Sequence, residues 1–141
     1  MPQPTHSGVF AGDANTAMVR YQVSELDRSL QFYTQQLGFT SHRPAPMLAI
    51  VTRGALHLVL SGAGSSGSRP MPDGREQQPG GWNRIVLYVD RLDTTIADLA
   101  KSGVHFRNGV EQGPGGRQIV IEDPDGNPIE LHEAPKQPFS L

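Results

Sequence analysis

The sequence predicts an α+β fold built from two βαβββ modules whose sheets curve into a half-open barrel. Three observations predict it. The first is an internal repeat: with a shift of 66 residues, Val23 meets Val89, Leu26 meets Leu92, Asp27 meets Asp93 and Leu30 meets Ile96. The second is a change of period inside each repeat. Alternation over Val19, Tyr21, Val23 and over Ile85, Leu87, Val89 marks half-buried strands, and helical spacing follows each. The third is a break between the repeats: SGAGSSGSRPMPDGREQQPGG at 61–81 holds no periodic apolar pattern and reads as a flexible linker. The chain then divides into a flexible tail (1–15), a first module (16–60), the linker (61–81), a second module (82–134) and a C-terminal tail (135–141). The same element order also fits two separate ferredoxin-like units with no shared cup.

Each element has a local reason. After the first strand, Ser24 with Asp27 reads as a capping signal, and Leu26, Leu30, Tyr33 and Leu37 carry the helix to Gly38, where a left-handed terminating residue is wanted. Asp90 with Asp93 repeats the signal before Leu92, Ile96 and Leu99, and Gly103 ends that helix. Short strands are expected at roughly 39–44, 47–53 and 55–61 in the first module, and at roughly 104–107, 116–122 and 128–133 in the second. Asp123-Pro-Asp-Gly-Asn-Pro128 is a turn between the last two, and Gly113-Pro-Gly-Gly116 is a hairpin-type loop.

Composition bounds the function. The 141 residues suffice for one core without staples. With no cysteine there is no disulfide scaffold, thiolate zinc site or cysteine nucleophile. Twelve Lys and Arg against 14 Asp and Glu, a net charge of −2, leave no excess to neutralise a phosphate backbone, so no nucleic-acid partner is expected. No apolar run approaches the roughly 20 residues of a membrane span, and no signal peptide is evident, so a cytoplasmic protein without a membrane partner is expected. The Gly62–Gly67 stretch lacks the strand-to-helix context of a phosphate loop.

Period two sorts the strand residues into two faces. Val19, Tyr21, Val23, Leu56, Leu58, Leu60, Ile85, Leu87, Val89, Ile129 and Leu131 face the helices. Opposite lie Met18, Arg20, Gln22, His57, Val59, Arg84, Val86, Tyr88, Glu130 and His132. A concave face mixing apolar with convergent polar groups suits a small-molecule pocket; a plain wet sheet face is the alternative. His132, at a strand end, reads as rim or surface. His42 and His105 carry no motif, and His6 lies in a tail.

Leu26-Asp-Arg-Ser-Leu-Gln-Phe-Tyr33 with Leu37-Gly-Phe39, and Asp123-Pro-Asp-Gly-Asn with Ile129-Glu-Leu131, resemble the vicinal oxygen chelate superfamily, the glyoxalase I, bleomycin-resistance protein and extradiol dioxygenase group. The resemblance covers roughly 17–134. It implies a glyoxalase/bleomycin-resistance/dioxygenase-like barrel and a homodimer. It also implies metal ligands at positions filled here by Met18, His57, Arg84 and Glu130. Met18 is a soft thioether, and Arg84 stays protonated and repels a cation. The reading is therefore a protein that binds or sequesters a small molecule in the cup without a catalytic metal or other cofactor. Its ligand-binding residues would be Met18, Arg20, Gln22, His57, Val59, Arg84, Val86, Tyr88 and Glu130, with Arg84 and Glu130 paired in the space of the missing metal. The alternative is a divalent-metal-dependent lyase, isomerase or dioxygenase using His57 and Glu130. A metal-free enzyme with His57 or Glu130 as base is a third reading. No catalytic residue is assigned.

Overall fold

Alternation and helical spacing give the expected order of elements in the computed structural model, which describes residues 12–137. The remaining residues of the two tails, including His6, lie outside the described residues. The first half runs β1 (Val19–Gln22), α1 (Leu26–Gln31), β2 (Thr40–Ala45), β3 (Leu48–Arg53) and β4 (Leu56–Ser61). The second runs β5 (Ile85–Tyr88), α2 (Leu92–Lys101), β6 (His105–Phe106), β7 (Glu111–Gly113), β8 (Gly116–Glu122) and β9 (Pro128–Glu133). The sheets are mixed. The first has the order β1-β4-β3-β2, and the second β5-β9-β8-β6 with β7 on the far part of β8. In each, the opening strand runs parallel to the closing one: Val19 sits opposite Leu58, and Ile85 opposite Ile129. The repeat seen in the sequence is thus a repeat of ladder register, and the sheets form a curved, half-open barrel that does not close.

The structure departs from the expected elements in four places. α1 does not continue as an α-helix to Leu37; its last turn, Phe32–Gln36, widens to a π-turn. In that turn Tyr33 is held at both its ring and its hydroxyl, packed edge-on to Phe32 and Phe39 and donating to Asp123 Oδ2 at 2.8 Å. Neither capping signal acts as a cap. Ser24 Oγ donates instead to Asp125, and the first amide of α2, Leu92 N, donates to Glu133 Oε1 from β9 at 2.9 Å. β7 is an additional strand that Glu-Gln-Gly gives no alternation to reveal; it exists by pairing with Arg117 and Gln118 across the Pro114-Gly115 turn. Gly116 closes that turn at φ +119°, with room for no side chain, since a Cβ would stand 2.0 Å from Glu133 O.

The fourth departure concerns 61–81, which is not free of the fold. Ser61 ends β4, and Ser66–Ser68 form a 3₁₀ turn. Gln22 reaches across from β1 to donate to Gly67 O at 2.9 Å and to Gln77 at 3.2 Å, and its Oε1 accepts from Ser68 at 2.7 Å.

The helix-side faces of both sheets share one core. Tyr21, Val51 and Leu58 of the first half cluster with Leu87, Ile121, Ile129 and Leu131 of the second, under Leu26, Leu92 and Leu99 of the helices. Each such buried side chain stabilises the fold by about 1.5–3 kcal/mol. Polar bonds fasten the halves where the core ends. Tyr21 donates its hydroxyl to Pro128 O at 2.6 Å and accepts from Ile85 N at 3.0 Å, and Asn127 Nδ2 donates to Gln22 O at 2.8 Å. Among the described residues no helix is long and apolar enough to cross a membrane.

Candidate functional site

The side of each sheet away from the helices carries the candidate residues, but they fall into two sets. On the first sheet Arg20 pairs in register with Val59 and Gln22 with Ser61. Arg20 Nη1 donates to Ser61 Oγ at 2.6 Å, and Gln22 is spent on the segment after β4. Val59, expected as open wall, is buried between Arg20 and Ile50 in the ladder. Met18 immediately precedes β1 and is half-buried, as is His57 on β4 opposite Thr52. A cleft of about 320 Å³ on this half is lined by Gln22, Ser24, Ser68, Pro70 and Gln77.

The second sheet builds the denser arrangement. β5 and β9 run parallel with Val86 opposite Glu130 and Tyr88 opposite His132. Glu130 is 7% exposed. Its Oε1 accepts from Arg84 Nε at 3.1 Å and Nη2 at 3.0 Å, so the expected ion pair is formed. Its Oε2 lies 2.8 Å from His132 Nδ1. His132 Nε2 in turn lies 2.7 Å from Gly115 O in the β7–β8 turn, and the ring rests on Tyr88 at 4.8 Å between centroids. The Gly115 carbonyl raises the His132 pKa above its ordinary value; burial opposes the shift, and the Glu130 carboxylate adds to it. His132 therefore belongs to this cluster and not to the rim. The signal was available, since Glu130 and His132 share a face by period two, but its partner Gly115 is remote in sequence.

Sequence reasoning also missed Arg107. Its Nε donates to Glu122 at 2.8 Å, Nη1 to Gly81 O at 2.7 Å and Nη2 to Gly126 O at 2.9 Å. Its guanidinium carbon stands 4.9 Å from the centre of the Trp82 ring. An open cleft of about 600 Å³ runs over Trp82, Arg84, Arg107, Val120 and Glu122. Tyr88 and Val86 continue along β5, 55% and 46% exposed.

Of the motif residues that carry the resemblance, Glu130 stands in the cluster with Arg84 and His132, and several others stand elsewhere. Tyr33, Asp123 and Asn127 form a buried knot behind the sheets, with Asp123 accepting from Tyr33, from Asn127 Nδ2 and from two turn amides. Burial pushes the Asp123 carboxyl up and the Tyr33 hydroxyl well above its usual value.

The divalent metal implied by the resemblance does not fit the residues present. A guanidinium occupies one expected ligand position and a thioether another. The carboxylate at Glu130 has both oxygens engaged, by Arg84 and His132.

A family model described as the glyoxalase/bleomycin resistance protein/dioxygenase superfamily matches residues 15–131. No curated protein matches the chain. Among solved structures, a member of that superfamily from Sphaerobacter thermophilus is 28% identical, with a TM-score of 0.62, over 84% of this chain and 97% of that one. An antibiotic-binding protein from a Streptomyces species is 24% identical, with a TM-score of 0.60, over 88% of this chain and 100% of that one. A lactoylglutathione lyase from Agrobacterium tumefaciens is 22% identical, with a TM-score of 0.62, over 86% of this chain and 96% of that one. The last two likenesses are of fold.

Proposed function

The chain belongs to the glyoxalase/bleomycin resistance protein/dioxygenase superfamily, and from that premise we propose that it binds or sequesters a small molecule in its cup without a catalytic metal, acting as a homodimer. One observation carries the reading: the Glu130 carboxylate is held by the Arg84 guanidinium on one oxygen and by His132 on the other. A guanidinium neutralises the carboxylate as a divalent ion would, but offers no open coordination position and no Lewis acidity. What remains is a recognition surface of arginine, carboxylate and exposed aromatics. The antibiotic-binding structure of the same fold supports this reading.

Two measurements test it. Elemental analysis of the purified protein is expected to find no stoichiometric Ni, Zn or Mn, and these ions are expected to leave the melting temperature unchanged. Arg84→His, which sets an imidazole beside Glu130, is expected to gain stabilisation by one of them. One equivalent of metal bound through Glu130 in the wild type overturns the reading in favour of a metal-dependent enzyme. A thermal-shift library in which compounds raise the melting temperature supports ligand binding, and one in which none does refutes it.

A further inference from the structure

Resting on the reading that the cup holds a small molecule, we propose that the concave face of the second sheet is a subsite for a flat, electron-rich aromatic ring bearing one carboxylate. The ring stacks on Trp82 and the carboxylate bonds to Arg84. Period two along β5 and its approach sets Arg84, Val86 and Tyr88 on one face, and Trp82 lines the same cleft as Arg84. Trp82 is 77% exposed, and Val86 and Tyr88 further along β5 are also open. Single exposed apolar residues are ordinary, but Val86 and Tyr88 on an edge strand, with Trp82 open just before it, mark a binding surface.

Trp82 is positioned rather than loose. The Arg107 guanidinium that backs its ring is fixed by three hydrogen bonds, to Glu122, Gly81 O and Gly126 O. A cation against one face draws the π density of the indole toward it. The open face then prefers an electron-rich partner ring.

Arg84 supplies the polar half. Its Nε and Nη2 both serve Glu130, while Nη1 has no hydrogen-bond partner among the described residues. Glu122 and Glu130 are each committed to an arginine, so the unspent hydrogen-bonding capacity beside the cleft is a charged donor. A cationic ligand would meet two guanidinium groups, and an uncharged hydrocarbon would leave Nη1 unanswered in a partly dry site. One carboxylate satisfies it. The cleft of about 600 Å³ admits a two-ring molecule.

The test uses 2-naphthoate as probe, with 2-naphthylmethanol as its uncharged counterpart and cyclohexanecarboxylate as its non-aromatic one. Trp82 is the single tryptophan, so its emission reports the site directly. 2-Naphthoate is expected to change that emission saturably and to bind more tightly than either control. Trp82→Ala, a change at an exposed side chain, is expected to weaken 2-naphthoate about tenfold by calorimetry. Arg84→Gln is expected to weaken 2-naphthoate by a similar factor while leaving 2-naphthylmethanol unchanged. Equal binding of 2-naphthoate to wild type and Trp82→Ala overturns the subsite. So does a thermal-shift library that yields binders while 2-naphthoate shows no binding; in that case the small-molecule reading stands. If neither 2-naphthoate nor any library compound binds, both fall.

Discussion

Glu130 shows what single residues decide in this protein. It is a buried carboxylate whose two oxygens answer to Arg84 and His132, and His132 passes the link to the Gly115 carbonyl. The raised pKa of His132 makes that link pH-dependent. A histidine whose folded pKa lies above its unfolded value of about 6.5 stabilises the fold fully below that value, and the contribution fades as pH rises through the folded value. The groups facing the ring are Glu130 on its own strand, Tyr88 from β5 and the Gly115 carbonyl, with Arg84 on the far oxygen of Glu130. His132→Gln is therefore expected to cost stability near pH about 6 and markedly less near pH about 8.5, measured by denaturant unfolding. A deficit constant across that range contradicts the assignment. The shared face of Arg84 and Glu130 was legible from strand parity, and their pairing from the resemblance. The position of His132 on the same face was legible too, but its role was not, because Gly115 reaches it only through the β7–β8 hairpin. Trp82 and Arg107 are likewise 25 residues apart in the chain and 4.9 Å apart in space.

Elements follow the sequence closely where apolar period sets them and less closely where polar bonds do. β1, β4, β5 and β9 fall where alternation predicts, since a one-residue slip would turn every core side chain to the wrong face. The segment 61–81 shows the opposite case. Its composition carries no apolar pattern, so it reads as linker, yet the side chain of Gln22 bonds it at Gly67, Ser68 and Gln77. Those bonds are invisible to composition because their anchor lies in β1. Gln22→Ala removes all three. It is expected to speed tryptic cleavage after Arg75 several-fold over wild type while leaving global stability within about 1 kcal/mol, because local opening and global unfolding are separate events. Equal cleavage rates in the two proteins would show that the segment is held by something other than Gln22.

The whole molecule is two similar modules around one shared core. β1 and β5 each have a strand partner on one side only. Edges of this kind invite a second copy. Sedimentation at micromolar concentration is expected to give twice the 15.3 kDa of the chain, and a species of chain mass refutes the dimer. Within one chain, the halves are fastened by the shared core and by polar bonds at its margin, and Tyr21 takes part in both. Its ring joins the common core, and its hydroxyl both donates to Pro128 O and accepts from Ile85 N. Burial raises its pKa, with the Ile85 amide opposing, so the hydroxyl stays protonated and keeps both roles throughout the neutral range. Tyr21→Phe keeps the ring and removes only the bridge. It leaves a buried carbonyl and a buried amide without that partner, at about 1–3 kcal/mol each where nothing replaces it. The expected result is a loss of about 2–4 kcal/mol with the denaturant slope unchanged, since both modules still unfold together around the shared core. A reduced slope, or two separate transitions reported by Trp82 emission and by far-ultraviolet dichroism, would show that the hydroxyl and not the core couples the modules.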